Sequence, residues 1–527
     1  MTSPSTQPVA AGGGQAAGGQ AAGGQAAGGP GPQPGAAAGS RAEGAAFDAG
    51  PRWMMAIPPV VTFVIMLWGI TGASYWRDEA ATLSAAQRPL GNLLHTLGNI
   101  DAVHGAYYLL IWVMVQLGGT GELVTRLPSA VAMAGAAAAV AALGRRLISP
   151  RAGLASGLVF AVLPEVSLYG QDARPYAIVV ALAALASYLL VRAMPDDGAR
   201  YRWLIGYAAC LAALGIVDIF GLLLIPAHAV TVALRYLRAR DADASRDARS
   251  LAQGWLAAAV AGAALVTPVL VLGYVQRGTL AWLSPPGLGA VKGLRALVGP
   301  ATMVDAAALV IAAGIVVSAI AGRERLRASW PGSLVALCLP WLILPPAILL
   351  AGSLITPLYT LRYVLLCIPA IALLAGAGLA ALGWVAGTAA LAVITVLGVP
   401  TQLHVRTADG HGDNVRQADR IVARNMRPGD AVLEFKAENF GQAYPYGIRQ
   451  LIPVAQARSP IQSATLIGTF LPDPVVRQRL TRVARVWVVE YGHPAPLVIL
   501  NGLHFRLAHA WRTSDIWLFL YAHSSGG

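Results

Sequence analysis

The chain has 527 residues, of which 56% are hydrophobic and only 12% are charged. Soluble proteins carry about 25% charged residues, so this composition excludes a soluble enzyme, a disordered chain and a coiled coil. It predicts a polytopic α-helical membrane protein. The formal net charge of +13 is expected to come from arginine-rich cytoplasmic loops rather than from a nucleic-acid-binding face.

Residues 1–50 are rich in Ala, Gly, Gln, Pro and Ser, and the unit Gly-Gly-Gln-Ala-Ala occurs at 13–17, 18–22 and 23–27. A segment with so few large apolar side chains has little to bury, so it is predicted to be a disordered tail. Because Arg41 and Arg52 precede the first apolar run, the tail is expected to be cytoplasmic.

Eleven apolar runs are candidates to cross a bilayer, which takes about 20 residues. They lie at 54–72, 127–143, 153–168, 175–193, 203–219, 221–237, 254–273, 300–320, 333–352, 362–381 and 384–400. If the first run crosses outward, the short loops on one side carry fourteen arginines, and the longer loops opposite carry eight basic residues. This bias predicts a multi-pass plasma-membrane protein with its N-terminus in the cytoplasm. The odd number of spans then places residues 401–527 outside.

Two regions outside the spans are also predicted to be structured. In the first outer loop, 73–126, the apolar stretch Tyr107–Leu117 is too short to cross and is predicted to lie as a helix along the interface. After His404, charged residues become frequent, and a helical segment near 413–426 is followed by strand-like runs at 431–435, 450–455, 485–491 and 515–521. Three parts are therefore predicted: the tail 1–50, a transmembrane domain 51–403 that includes the outer loop, and an extracytoplasmic α/β domain 404–527.

The first candidate site is Tyr75-Trp76-Arg77-Asp78-Glu79, directly after the first predicted span. Charged side chains at a membrane face are costly unless they are paired or hydrated. The segment could be a solvated loop, or one of its carboxylates could act as a general base at the lipid surface.

The second candidate site is Gln171-Asp172-Ala173-Arg174-Pro175-Tyr176, on the same predicted face. These residues could simply separate two helices, with Pro175 in the first turn of the second. Alternatively, the guanidinium of Arg174 could bind an anionic group such as a phosphate. Arg362, which precedes Tyr363 at the start of the tenth predicted span, could likewise extend to the interface or face a lipid phosphate.

Other ionisable residues are predicted on the same outer face: His104, Glu122 and Asp218. A lone histidine is more often a hydrogen-bonded structural group than a ligand. Together, however, two carboxylates and two arginines on one face suit a site that removes a proton from a hydroxyl group while it holds a phosphate.

With these residues in this order, the chain resembles the GT-C superfamily of polytopic glycosyltransferases. Within it, the chain is similar to the protein-mannosyltransferase-like branch, which includes bacterial lipid A aminoarabinose transferases and actinobacterial mannosyltransferase-like proteins. The resemblance covers about 75–193 and resumes near 362. It rests on Arg77-Asp78-Glu79, the stretch 106–117 followed by Arg126-Leu127-Pro128-Ser129, Leu143-Gly144-Arg145-Arg146-Leu147, Gln171-Asp172-Ala173-Arg174-Pro175-Tyr176, and Arg362-Tyr363.

The resemblance implies spans packed around an outer-face cavity and an inverting glycosyltransferase that uses a polyprenyl-phosphate sugar as donor. Asp78 matches the catalytic aspartate, with Glu79 in support, orienting Arg77 or the acceptor. Arg174 and Arg362 match, more loosely, basic residues near the donor phosphate. The remaining residues expected to bind the acceptor or support the site are Arg77, His104, Asp172 and Tyr363.

Many relatives have His-Pro-Pro where this chain has His104-Gly105-Ala106, so a different acceptor pocket is expected. The acceptor could be a glycan, a glycolipid or a protein, and the sugar could be mannose or another hexose or pentose. No cofactor is predicted, and a requirement for a divalent metal is left open. Cys210, Cys338 and Cys367 lie far apart in apolar runs, which predicts neither a disulfide scaffold nor a cysteine metal site.

Two other function classes are compatible with a membrane protein of this kind. A lipid or polysaccharide transporter often has related halves and helices broken near mid-membrane, but no clear repeat between halves is found here. A non-catalytic scaffold of the cell envelope would suit the predicted outer domain. Replacing Asp78 with Ala separates these classes, because transfer should be lost while transport or scaffolding should largely survive.

Overall fold

The computed structural model describes residues 52–195, 198–239, 241–320, 334–434, 439–492 and 498–523. The predicted disordered tail and the arginine loop at 323–327 lie outside these residues. The described chain is mostly helical, as expected from its composition. The α-helices are α1 Ile57–Leu67, α2 Arg77–Ala86, α3 Leu90–Asn99, α4 Gly105–Gly118, α5 Glu122–Leu147, α6 Pro150–Val162, α7 Pro164–Gly170, α8 Tyr176–Ala193, α9 Arg200–Val217, α10 Leu224–Leu237, α11 Ala242–Val275, α12 Leu288–Gly293, α13 Ala301–Ile320, α14 Leu334–Gly352, α15 Ile368–Ala381, α16 Gly383–Val405, α17 Val415–Asn425, α18 Phe440–Ala443, α19 Pro460–Ser463 and α20 Asp473–Leu480.

Among the described residues, eight helices are long and apolar enough to cross a membrane, or nine if the bent pair α6–α7 is one span. The pair bends by 64° at Leu163, which is extended (ψ 127°) and precedes Pro164, a residue that disfavours helix before it. The predicted number of eleven is not confirmed. The first candidate is a shorter apolar helix, Trp53–Leu67, and α9 begins with Arg200 and Arg202, which lower its hydropathy.

Small residues bring the central helices into close contact. A Cβ atom at Gly144 of α5 would lie 2.9 Å from the Cα of Gly153 on α6, and one at Gly314 of α13 would lie 2.4 Å from the Cα of Gly378 on α15. Without a hydrophobic driving force between helices in lipid, such close backbone packing is a main source of stability. The packed bundle formed in this way supports the outer helices that carry the candidate site.

Three short helices, α2 to α4, lie within the segment 73–126, which the distribution of arginines predicts to be the first outer loop. The predicted helix at 107–117 is present as α4, and its length is below that of a span. Its placement along the membrane surface stays a prediction. Tyr107, Tyr108 and Ile111 of α4 pack against Ala85 and Leu93 in a buried cluster, which orients α2.

The C-terminal region contains a mixed sheet and several short helices. Its strands are β1 Ala431–Glu434, β2 Ile452–Pro453, β3 Gln456–Arg458, β4 Thr469–Phe470, β5 Arg485–Tyr491, β6 Phe505–Thr513 and β7 Ile516–His523. The five-stranded sheet has the order β2-β1-β5-β7-β6, with β1 parallel to β2 and β5 and with antiparallel β5–β7 and β7–β6 pairs. Strands β3 and β4 form a separate antiparallel pair.

The C-terminal region packs directly on the first outer helix. Val415 and Val422 of α17 and Trp487 of β5 share one buried cluster with Tyr75 and Leu83 of the outer loop. The boundary of a separate domain at 404 therefore stays a prediction. This packing brings residues after the last span close to the start of α2, where the candidate site lies.

Candidate active site

The two acidic residues that open α2 have different surroundings. The side chain of Asp78 is 22% exposed, whereas that of Glu79 is fully buried. Successive residues of a helix point about 100° apart, so Asp78 faces outward from the bundle and Glu79 faces inward. The two carboxylates are therefore available for different tasks.

Glu79 is held by a buried guanidinium. Arg126 donates from Nε to Oε1 (2.8 Å) and from Nη2 to Oε2 (2.7 Å), and the backbone N–H of Ala173 also donates to Oε1 (2.8 Å). Burial by itself raises the pKa of Glu79, but the charge and hydrogen bonds of Arg126 outweigh it and lower this pKa to about 2. The expectation that Glu79 orients Arg77 is wrong: its carboxylate joins α2 to α5 instead.

Asp78 lies between two arginines. Nη1 of Arg362 is 2.6 Å from Oδ2 of Asp78, and Nε of Arg77 is 3.8 Å from Oδ1. The guanidinium of Arg362 also lies 5.1 Å from the ring centre of Trp282 and 5.8 Å from that of Trp76. The ion pair joins residues 284 positions apart in the chain, and it brings Arg362 to the first candidate site.

Arg174 also lies next to Asp78, but it contacts the backbone of this residue and not its carboxylate. Its Nη1 lies 3.5 Å from the backbone oxygen of Asp78 and 3.3 Å from Oγ1 of Thr82. Its Nη2 lies 3.1 Å from Nε2 of His104, whose Nδ1 is 2.7 Å from Oδ1 of Asp101. Because an arginine can only donate, Nε2 of His104 accepts and Nδ1 carries the proton that is donated to Asp101. This chain of contacts fixes Arg174 beside Asp78.

Asp172 and Tyr363 line the same region with buried side chains. Oδ1 of Asp172 accepts a hydrogen bond from Nε1 of Trp76 (2.9 Å). Burial and the nearby charge of Glu79 raise the pKa of Asp172 well above its usual range. The ring of Tyr363 stacks on that of Phe220 at 4.3 Å. Both residues thus shape the walls of the site.

Glu122 and Asp218, which were also candidates from the sequence, make contacts away from Asp78. Oε1 of Glu122 lies 2.8 Å from Nη2 of Arg416 and accepts a hydrogen bond from the hydroxyl of Tyr444 (2.8 Å). Oδ1 of Asp218 accepts from the backbone N–H of Phe220 (2.9 Å). These contacts join structural elements, and none of them reaches Asp78.

Three side chains could in principle hold a metal ion: ligand atoms of Glu79, Asp172 and His411 lie within 4.8 Å of one another. The sequence did not reveal this group, because His411 follows the last span. Both oxygens of Glu79 already accept hydrogen bonds from Arg126, and Oδ1 of Asp172 accepts one from Trp76. A metal requires ligands with free lone pairs. Both ring nitrogens of His411 are buried without a hydrogen-bond partner among the described residues, so His411 has a lone pair to offer, whereas the Glu79 oxygens are already engaged by Arg126.

Three further residues complete the surroundings of Asp78 and were not predicted from the sequence. Asp101 lies three residues before His104, a spacing at which two side chains can meet across one turn, so the sequence could have suggested their contact. Asp413, whose Oδ2 accepts from the backbone N–H of Arg77 (3.0 Å), and Tyr491, whose ring centre is 4.4 Å from the Arg77 guanidinium, come from the C-terminal region. No local pattern marks them.

Comparison with known proteins relates this geometry to a known fold. Residues 105–272 match the family model described as dolichyl-phosphate-mannose-protein mannosyltransferase. The structure of ArnT from Cupriavidus metallidurans in the apo state is similar with a TM-score of 0.60 and 16% identity, covering 91% of this chain and 98% of ArnT. The structure of the same protein bound to undecaprenyl phosphate gives a TM-score of 0.52 and 14% identity, covering 89% of this chain and 97% of ArnT.

No curated protein sequence matches the chain. At these identities, the similarity to ArnT establishes the fold, and the family-model match covers the segment from α4 to α11. Both agree with the resemblance seen in the sequence. The chain therefore has the fold of ArnT, and its segment 105–272 is similar to the family described as dolichyl-phosphate-mannose-protein mannosyltransferase.

Proposed function

We propose that the chain transfers a sugar from a polyprenyl-phosphate donor to a hydroxyl group of a glycan, glycolipid or protein acceptor at the outer face of the plasma membrane, with inversion at the sugar carbon. The observation that carries this proposal is the pairing of Asp78 with Arg362 at 2.6 Å, next to the buried Arg174. One carboxylate and two guanidinium groups at this position supply a base and a phosphate clamp together.

The two arginines bind the donor phosphate in this proposal. Arg362 and Arg174 each have an Nε atom that is buried without a hydrogen-bond partner among the described residues, so each has donor capacity to offer. Guanidinium groups bind phosphate through paired, charge-assisted hydrogen bonds. When the phosphate arrives, Arg362 exchanges the Asp78 carboxylate for a phosphate oxygen, which leaves Asp78 free to accept a proton.

Asp78 then acts as the general base. The acceptor hydroxyl transfers its proton to the carboxylate, its oxygen forms a bond to the sugar carbon, and the bond from that carbon to the phosphate oxygen breaks. The electron pair leaves with the polyprenyl phosphate, a stable anion that needs little acid assistance. Attack from the face opposite the leaving group inverts the configuration. General-base catalysis of this kind contributes about 10²–10⁴-fold.

The neighbouring residues position these groups. The contacts of His104 with Asp101 and Arg174 hold the Arg174 guanidinium in place, and the Arg77 guanidinium lies beside Asp78 under the ring of Tyr491. Glu79, buried with Arg126, fixes the helix turn that presents Asp78. In this proposal Arg77, His104 and Asp172 support the site, and Asp78, Arg174 and Arg362 touch the substrates.

The proposal is tested with the purified full chain in lipid vesicles and a panel of polyprenyl-phosphate sugars, with acceptor products identified by mass spectrometry. A glycosylated acceptor and free polyprenyl phosphate in equal amounts are expected from one member of the panel. Asp78→Asn should abolish most of the product, and Asp473→Asn, an exposed aspartate on α20, should not. Product formation that is equal in both variants would refute the assigned role, and lipid movement without any transfer would favour the transporter alternative.

A further inference from the structure

A cavity of about 310 Å³ lies beside α17, and Asp78 is not among the residues that line it. Arg416, Arg420 and Arg424 line it together with polar Asn414 and Gln417. Residues four apart occupy one face of a helix, so the three arginines form a cationic stripe along α17. Among the described residues that line this cavity, none is acidic.

The arginines of the stripe are not equivalent. Arg416 is an anchor: it donates to the backbone oxygens of Thr71 (3.0 Å) and Gly72 (3.2 Å) and pairs with Glu122 (2.8 Å). Arg420 and Arg424 are exposed, and neither makes a hydrogen bond or an ion pair through its side chain within the described part of the chain. Their guanidinium groups are therefore free to bind a ligand.

The carboxylates on the adjoining segments are already engaged. Asp419 accepts hydrogen bonds from the backbone N–H groups of Gly447 and Ile448 (3.0 and 2.8 Å), and Oδ1 of Asp409 accepts from Nδ2 of Asn414 (2.9 Å). Like charges four residues apart on a helix repel each other. Neither Arg420 nor Arg424 forms an ion pair with a carboxylate among the described residues, and an anion in the cavity would reduce the repulsion between them.

The cavity lies next to the C-terminal end of α16, the last described helix that is long and apolar enough to cross a membrane. Ala408, on its wall, comes three residues after the last span α16, and Arg406 between them donates to the backbone oxygen of Trp68 at the end of α1 (2.7 Å). Trp68 is 52% exposed and Leu403 is 51% exposed. Exposed apolar side chains at the ends of two hydrophobic helices face lipid, and tryptophan is typical of the headgroup level.

We propose that this cavity binds the phosphodiester headgroup of an anionic membrane lipid, with Arg420 and Arg424 on the phosphate and Gln417 and Asn414 as polar contacts. Charge and membrane depth together select this ligand over a zwitterionic lipid, because the phosphate charge is not balanced within an anionic headgroup. The bound lipid would tie α17 to the bilayer next to the segment that carries Asp413. The inference does not depend on the proposed transfer reaction.

The test uses the purified full chain in detergent and native mass spectrometry, with dioleoyl phosphatidylglycerol and dioleoyl phosphatidylcholine as probes. The wild type is expected to bind phosphatidylglycerol at least tenfold more tightly. The variant R420A/R424A should bind it about 30-fold more weakly, since each interfacial arginine contributes about fivefold. The matched control R482A/R506A, which removes two exposed arginines elsewhere, should bind like the wild type, and R420K/R424K should keep most of the affinity.

Several outcomes would overturn the proposal. They are equal affinity of R420A/R424A and the control, equal affinity of the wild type for both lipids, and displacement of phosphatidylglycerol by millimolar inorganic phosphate, which would identify a site for soluble anions instead. If R420A/R424A is not monodisperse, the single variants R420A and R424A are compared with R482A. A loss of about fivefold in each supports the site, and an unchanged affinity in both refutes it.

Discussion

Replacing Glu79 with Gln removes the charge that balances Arg126 inside the fold. The pair is fully buried, with both side chains at 0% exposure and a closest distance of 2.7 Å. The pKa of Glu79 is lowered from 4.5 to about 2, a shift that corresponds to about 3 kcal/mol of stability at neutral pH. Breaking a buried ion pair by removing one partner costs a similar amount, about 3–5 kcal/mol. Glu79→Gln should therefore lower the free energy of unfolding by about 3 kcal/mol.

Equilibrium unfolding of the full chain in mixtures of detergent and sodium dodecyl sulfate measures this change. The exposed control Asp473→Asn should stay within about 0.5 kcal/mol of the wild type. The double variant Glu79→Gln/Arg126→Gln should lose about 1–3 kcal/mol less free energy of unfolding than the sum of the losses in the two single variants. The reason is that the double variant leaves no buried charge without a partner. Per folded molecule, Glu79→Gln should reduce the rate of transfer less than Asp78→Asn does. A stability of Glu79→Gln within 1 kcal/mol of the wild type would refute the structural role assigned to this pair.

The remaining predictions concern the phosphate clamp, pH and topology. Arg174→Ala and Arg362→Ala should each raise the donor KM about 10- to 150-fold, with partial rescue by Lys; an unchanged donor KM in both would remove them from the site. Burial raises the pKa of Asp413 from 3.8 to about 6, so its stabilising contribution is complete below pH 3.8 and is lost as the pH rises through 6; thermal unfolding across this window should be flatter in Asp413→Asn. A cysteine at the exposed position Gln417 should react with a membrane-impermeant maleimide in intact cells, and labelling only after lysis would reverse the proposed orientation.

Much of the candidate site was accessible from the sequence because its residues lie next to spans. Asp78 comes shortly after the first apolar run, and Arg362 stands at the start of the tenth. Hydrophobicity alone therefore predicts that both residues lie at a membrane face. Glu79 shows the limit of this reasoning. Glu79 adjoins Asp78 in sequence, but its position on the helix directs its side chain into the bundle, where it pairs with Arg126. This pairing depends on the packing of α2 on α5, which the sequence does not reveal.

Other features depend on contacts that no local pattern encodes. His411 and Asp413 reach the start of α2 only because α17 and β5 pack on Tyr75 and Leu83. The strand β6 was not predicted, since this edge strand is largely exposed on both faces and lacks the alternation that marks a half-buried strand. The number of eleven spans stays a prediction, because some of the apolar runs fall on short helices such as Trp53–Leu67, and hydrophobicity alone does not fix helix length.

The rate of a single turnover by Asp78→Asn, measured alongside its affinity for the donor, tests the central claim most directly. Asparagine keeps the shape of the side chain and loses the base, so the transfer rate should fall by about 10²–10⁴-fold. Donor affinity should persist or increase, because Arg362 no longer has a carboxylate to exchange for the phosphate. A transfer rate close to that of the wild type, in a variant shown to be folded and to bind the donor, would contradict the assignment of Asp78 as the catalytic base.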